Sequence, residues 1–186
     1  MIKKSILMFA TLGCLSIFQV VHGQSRDITL NIELKDVISG GGTGDGGTAT
    51  GSNQIDFDFS GEADYRQTQT KVVADQLRVL STKNYEINVK AQTANFSSST
   101  SSSTLPLSII KISTALNGTT TFGTAVVPTT ADQIIYTGGV PTLGQGFDFK
   151  YEIEPNILLV EAPKEKYNVV LTYTVVAKLL FFNRGY

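Results

Sequence analysis

Residues 27–35 have the sequence DITLNIELK, in which polar and apolar residues alternate strictly. Because successive side chains of a β-strand point to opposite faces, this period of two predicts a strand with one buried face. The apolar positions that form this face are Ile28, Leu30, Ile32 and Leu34. The stretch therefore predicts a fold built from half-buried strands.

The same alternation recurs along most of the chain. It is clearest at residues 55–59, 77–79, 85–89, 147–153 and 167–175, and segments rich in Gly, Ser and Thr lie between many of these runs. Helical periodicity is almost absent. Many short strands joined by such loops are typical of a β-sandwich. We therefore predict an all-β fold, a single immunoglobulin-like Greek-key β-sandwich of about seven to nine strands.

Two local features refine this prediction. Residues 81–84, with the sequence STKN, are expected to be the turn of a β-hairpin between two of the alternating runs. Residues 39–53 are rich in Gly, which predicts a flexible loop or linker inside the domain.

The N-terminal residues 1–23 have the composition of a secretory signal peptide. Lys3 and Lys4 precede an apolar run that is shorter than the roughly 20 residues of a membrane-spanning helix. Small or aliphatic residues precede an expected cleavage site between Gly23 and Gln24.

Cleavage at that site would leave residues 24–186 as a single β-sandwich domain without an integral membrane span. The alternative is lipoprotein processing before Cys14, which would tie the domain to a membrane through an acylated cysteine.

The composition excludes several classes of function. The chain has 186 residues, a formal net charge of -1, one His, one Cys and no Trp. Because charges of both signs are scattered, it offers no basic face for nucleic acid. His22 and Cys14 both lie in the expected signal peptide, so the exported chain would have no His- or Cys-based metal site or catalytic machinery. We expect no cofactor and no enzyme activity.

Four acidic residues are the best candidates for a ligand site. Asp56, Asp58, Glu62 and Asp64 lie close together in the sequence, and carboxylate oxygens suit Ca²⁺. However, Asp56 and Asp58 alternate with apolar residues, which is the ordinary pattern on the solvent face of a strand. A solvated face is the favoured interpretation and a weak Ca²⁺ site is the alternative.

The arrangement resembles a group of small exported proteins. The resemblance rests on the alternating segments at residues 28–34, 55–65, 77–91 and 167–174. It is to Bacteroidetes-type immunoglobulin-like β-sandwich proteins such as DUF4402-type domains, spore-coat-U-like proteins and archaic chaperone–usher pilus subunits. The resemblance implies a non-catalytic structural or adhesive protein in the periplasm, at the cell surface or outside the cell. The partners it implies are further copies of the chain or a periplasmic chaperone.

In such pilus subunits a neighbour's N-terminal extension completes the sandwich by β-strand addition. Ile28, Leu30, Ile32 and Leu34 have the pattern of such a donor strand, and the Gly-rich segment follows them. Two alternatives stay open, namely that these residues form the first strand of their own sandwich or that they are donated to a neighbour. The alternative function is a monomeric extracellular module that binds a glycan, a peptide or Ca²⁺.

Overall fold

The computed structural model describes residues 24–34 and 54–178. The expected signal peptide, Cys14, Gly23 and the Gly-rich segment 39–53 therefore lie outside the described residues. The strands within the described ranges are β1 (Gln24–Leu34), β2 (Gln54–Phe59), β3 (Gln69–Ser81), β4 (Tyr85–Ala91), β5 (Asn95–Ser98), β6 (Thr104–Pro106), β7 (Ile110–Leu116), β8 (Gln133–Gly139), β9 (Thr142–Ile153) and β10 (Lys166–Ala177). The helical segments are α1 (Glu62–Arg66), α2 (Ile157–Glu161) and a 3-10 turn at Leu107–Ile109.

The strands form two sheets. The larger sheet has the order β2-β1-β10-β4-β8, with the short β5 beside β10 and β6 beside β5. The smaller sheet has the order β3-β9-β7. This architecture confirms the predicted all-β sandwich. The described residues form ten strands, whereas about seven to nine were expected. Two of the ten, β5 and β6, flank a Ser/Thr-rich loop and are too short to show a clear alternation in the sequence.

The expected hairpin at residues 81–84 is wrong. β3 pairs with β9 in the smaller sheet, whereas β4 pairs with β10 and β8 in the larger one. Val79 and Tyr85, on either side of the connection, are both buried. Alternation shows which face of a strand is buried, and it carries no information about the strand's partner. Residues 81–84 therefore carry the chain from one layer of the sandwich to the other.

The inner faces of both sheets enclose one core that is rich in aromatic rings. Phe149 of the smaller sheet meets Tyr173 of the larger sheet edge-on, with ring centroids 4.6 Å apart. Tyr136 and Phe147 make a similar contact at 4.8 Å. Such pairs add about 0.5–1.5 kcal/mol beyond the burial of their surface. The two layers are thus joined by ring contacts that cross the core.

Strand β1 contributes fully to this core. Ile28, Leu30 and Ile32 each have 0% of their surface exposed. We expect Leu30→Ala to lower the free energy of unfolding by about 2–5 kcal/mol, because it removes buried methyl groups and leaves a cavity. Thr29→Ala, on the opposite face of the same strand, should change it by less than about 1 kcal/mol. Urea denaturation measures both, and equal effects would contradict the assigned faces.

Candidate strand-insertion groove

Strand β1 fills a groove between two other strands. It pairs antiparallel with β10 from Gln24↔Val175 to Glu33↔Lys166. It also pairs parallel with β2 over residues 29–34. Both hydrogen-bonding edges of β1 are therefore used, and β2 joins the sheet through β1. We call the space between β2 and β10 the insertion groove.

The parallel pairing of β1 with β2 is the unusual feature of this groove. Consecutive strands can pair through a two-residue turn only when they are antiparallel, and parallel neighbours need a crossover connection of about a dozen residues or more. Thr29 lies opposite Gln54 and Leu34 opposite Phe59. Parallel pairing therefore excludes a tight turn that joins β1 directly to β2. Strand pairing and packing hold β1 in place, and a tight turn to β2 does not.

Apolar side chains line the inside of the groove. Leu30 of β1 lies level with Ile55 of β2 and with Val169 of β10, and all three are buried. Fully burying an aliphatic side chain of this size stabilises a fold by about 1.5–3 kcal/mol. An empty groove would expose this apolar row together with two unpaired strand edges, which promotes association with another strand.

A polar network closes one end of the groove. Arg26 is in phase with the buried Ile28, and its Nη1 donates to the backbone oxygen of Gln76 in β3. The hydroxyl of Tyr151 donates to Oε1 of Gln76 at 2.7 Å and lies 3.0 Å from the hydroxyl of Tyr173. Tyr173 is the residue of β10 opposite Arg26. The network thus joins β1 and β10 of one sheet to β3 and β9 of the other.

An irregularity in β3 places the carbonyl of Gln76 where Arg26 can reach it. Between Val73 and Leu77 the register with β9 shifts, so β3 uses three residues where β9 uses one. Asp75 has φ 49°, a left-handed conformation that is uncommon outside glycine. A bulge of this kind interrupts the ladder between the two strands. Within it, the Gln76 carbonyl accepts a hydrogen bond from across the core.

Asp148 supports the bulge from β9. Its Oδ1 accepts hydrogen bonds from the backbone N–H of Asp75 and from the side-chain amide of Asn117, both at 2.7 Å. Its Oδ2 accepts from the N–H of Gly118 at 3.3 Å. Burial alone would raise the pKa of Asp148, but these hydrogen bonds lower it below its usual value. The carboxylate is therefore charged at neutral pH and fixes the bulge to the turn after β7.

The buried tyrosines stay neutral. Burial raises the pKa of Tyr151 above the ordinary value of about 10, although hydrogen bonds with Tyr173 and Gln76 oppose the shift. Burial also raises the pKa of Tyr173, and the neighbouring Tyr151 adds to this shift. Both hydroxyls are therefore protonated around neutral pH and can act as hydrogen-bond donors.

The acidic candidates Glu62 and Asp64 serve the short helix α1. Oδ2 of Asp64 accepts the backbone N–H of Gly61 at 2.7 Å, which satisfies a donor at the start of the helix. Glu62 makes an exposed ion pair with Arg66 at 2.5 Å, a type of contact that contributes little to stability.

The candidates Asp56 and Asp58 lie on the outer face of β2. Both side chains are exposed, and Oδ1 of Asp56 accepts the side-chain amide of Asn31 at 2.9 Å. Asn31 is buried although it lies on this outer face. Across residues 24–34 and 54–178, no three His, Cys, Asp or Glu side chains are grouped so that they could hold a metal ion.

A second feature, which no sequence pattern predicts, lies around Glu165. Its two carboxylate oxygens accept hydrogen bonds from the hydroxyls of Thr100, at 2.5 Å, and Ser101, at 2.6 Å. These hydroxyls lower the pKa of Glu165 to about 2. The Ser/Thr-rich loop is therefore folded around a carboxylate that is distant in sequence, and composition alone could not identify that partner.

Comparison with known proteins supplies no family for this chain. No protein-family model matches the sequence, and no curated protein matches it. In the part of the chain that the structure describes, no helix is long and apolar enough to cross a membrane.

The tyrosine network makes a testable prediction about stability. Tyr151→Phe removes the hydroxyl that contacts both Gln76 and Tyr173, so it should lower the free energy of unfolding by about 1–3 kcal/mol. Tyr173→Phe should cost less, because the bond from Tyr151 to Gln76 remains. Urea denaturation compares the two variants, and a larger loss in Tyr173→Phe would contradict the proposed role of Tyr151.

The carboxylate of Glu165 makes a prediction about acid pH. Because its pKa is lowered, its contribution to stability is present above the unfolded-state value of about 4.3 and is lost as pH falls through about 2. Carboxyl ¹³C NMR should therefore show Glu165 titrating near pH 2. Glu165→Gln should accelerate amide exchange at Thr100 and Ser101, and the control Glu161→Gln should not. Titration of Glu165 near pH 4.3 would contradict this account.

Proposed function

We propose that this chain is a non-catalytic, exported structural or adhesive surface protein that assembles by β-strand addition. In the assembly, each copy inserts its β1 into the insertion groove of a neighbour. The observation that carries this proposal is the position of β1, which is an interior strand, parallel to β2, held by pairing on both edges. It matches the resemblance to donor-strand pilus subunits that the alternating segments suggest.

The energetics permit exchange between copies. A β1 strand from a second copy can make the same backbone hydrogen bonds and the same apolar contacts as the chain's own strand. The two arrangements then differ mainly in the connection between β1 and β2 and in the local concentration of the strand. Exchange of an identical element between copies is accordingly a low-cost route to assembly.

The expected export signal is consistent with this role. Gln24, the residue after the expected cleavage site, is also the first residue of β1. Cleavage there would leave β1 at the N-terminus of the exported chain. A terminal strand can enter a neighbour's groove without threading a loop through it. On this proposal the protein acts in the periplasm, at the cell surface or outside the cell.

An unoccupied groove accounts for the chaperone that the resemblance implies. Before a neighbour arrives, a chain whose β1 has been withdrawn exposes two strand edges and an apolar row, a combination that leads to aggregation. A periplasmic chaperone that covers the groove would prevent this.

Disulfide trapping tests exchange between copies. Two variants in a Cys14→Ser background are prepared, ¹⁵N-labelled Thr29→Cys and unlabelled Val170→Cys, and are refolded together from urea. Thr29 and Val170 are directly opposite on β1 and β10, and antiparallel partners have Cα atoms roughly 4.5–5.5 Å apart, within disulfide range. Each chain has one cysteine, so any disulfide between residues 29 and 170 joins two copies. Mass spectrometry should detect it as the main product.

The matched control replaces Val170→Cys by Lys111→Cys, which lies on β7 in the other sheet. A disulfide between residues 29 and 111 should be rare. If it forms as often as that between residues 29 and 170, the copies meet by random contact and β1 is not exchanged.

A further inference from the structure

The apolar face of β1 does not by itself define one register in the groove. Ile28, Leu30 and Ile32 are aliphatic residues of similar size at intervals of two. A slip of one residue would turn the apolar face outward, but a slip of two would refill the apolar positions with similar side chains. Something else must exclude the register that is shifted by two residues.

Arg26 is the residue that breaks this repeat. It lies on the same face as the aliphatic residues, two positions before Ile28, and donates to the backbone oxygen of Gln76. Arg26 lies opposite Tyr173 of β10. The groove therefore has a polar end, formed by the bulge of β3 and the tyrosine hydroxyls. Only position 26 of β1 places a hydrogen-bond donor there.

We propose that Arg26 fixes the register in which β1 enters the insertion groove. Because a second copy of this chain also has Arg26, its β1 would enter the groove in the same register. The claim that a second copy inserts its β1 in this register rests on the proposed function. The effect of Arg26 on register also operates when β1 fills the groove of its own chain. Arg26 acts as a positioning residue through its hydrogen bond to the Gln76 carbonyl.

Both slips by two residues are disfavoured by the same side chain. If Ile28 moves opposite Tyr173, an aliphatic side chain takes the place of the guanidinium and the Gln76 carbonyl loses this donor. If Arg26 moves to the place of Ile28, a charged group enters the apolar part of the groove. One polar position among apolar ones can thus select a single register, as a lone Asn does in a coiled coil.

Intrachain disulfides report the register directly. Thr29→Cys is combined, in a Cys14→Ser background, with Val170→Cys for the native register or with Thr172→Cys or Asn168→Cys for the two slips. In the native register the slipped partners are diagonal neighbours about 7–8 Å away, beyond normal disulfide reach. In a redox buffer at low protein concentration, the chain with Arg26 should form the native disulfide at least about tenfold more than either slipped one.

Two changes at Arg26 should alter this ratio. Arg26→Leu should raise the slipped disulfides until they are within about threefold of the native one, because the loss of one partly buried, charge-assisted hydrogen bond removes roughly a tenfold preference. The double variant Arg26→Ile, Ile28→Arg moves the guanidinium by two residues. Its main disulfide should join residues 29 and 172, since Arg at position 28 must then align with the Gln76 carbonyl.

The control is Arg66→Leu, which removes an exposed arginine of α1 and should leave the native disulfide dominant. Persistence of the native register in both Arg26 variants would overturn the proposal. The relocated variant keeps both side-chain types in the strand, so it remains informative if Arg26→Leu does not fold. Failure of the proposed function has a different signature, namely no disulfide between copies while the intrachain register still depends on Arg26.

Discussion

The insertion of β1 between β2 and β10 is the interaction on which the larger sheet depends. β2 joins the sheet through β1, and Ile28, Leu30 and Ile32 on the inner face of β1 are fully buried. Without this strand, β10 loses an antiparallel partner along most of its length and β2 loses its connection to the sheet. The larger sheet therefore depends on β1 for the attachment of β2.

The polar end of the groove complements this apolar contact. Apolar burial is strong but non-directional, so it favours insertion without selecting one register. The hydrogen bond from Arg26 to the Gln76 carbonyl is directional and has one position along the strand. It depends on the bulge in β3, which in turn is held by Asp148. Register and sheet architecture are thus linked through a short series of contacts across the core.

Much of the fold follows from local pattern. The alternation at residues 27–35 predicts the buried face of β1, on which Ile28, Leu30 and Ile32 are fully buried. The partners of each strand could not be predicted. Alternation at residues 77–79 and 85–89 looks like a hairpin, yet β3 and β4 belong to different sheets.

The site was only partly visible in the sequence. Arg26 is in phase with the buried positions, but its acceptor is a backbone oxygen that a bulge fifty positions away makes accessible. The partners of Glu165 are equally distant, in the loop between β5 and β6. Contacts of this kind arise from tertiary packing, and no local period records them.

Strand exchange can be observed directly in an isotope-filtered NOE experiment on refolded mixed copies. One copy is labelled with ¹³C and ¹⁵N and the other is unlabelled, and the oligomer is isolated before the spectra are recorded. Assembly by strand addition predicts NOEs from Leu30 of one copy to Val169 of the other, since these residues are opposite each other on β1 and β10. An oligomer in which Leu30 contacts Val169 of its own chain alone would contradict assembly by strand addition.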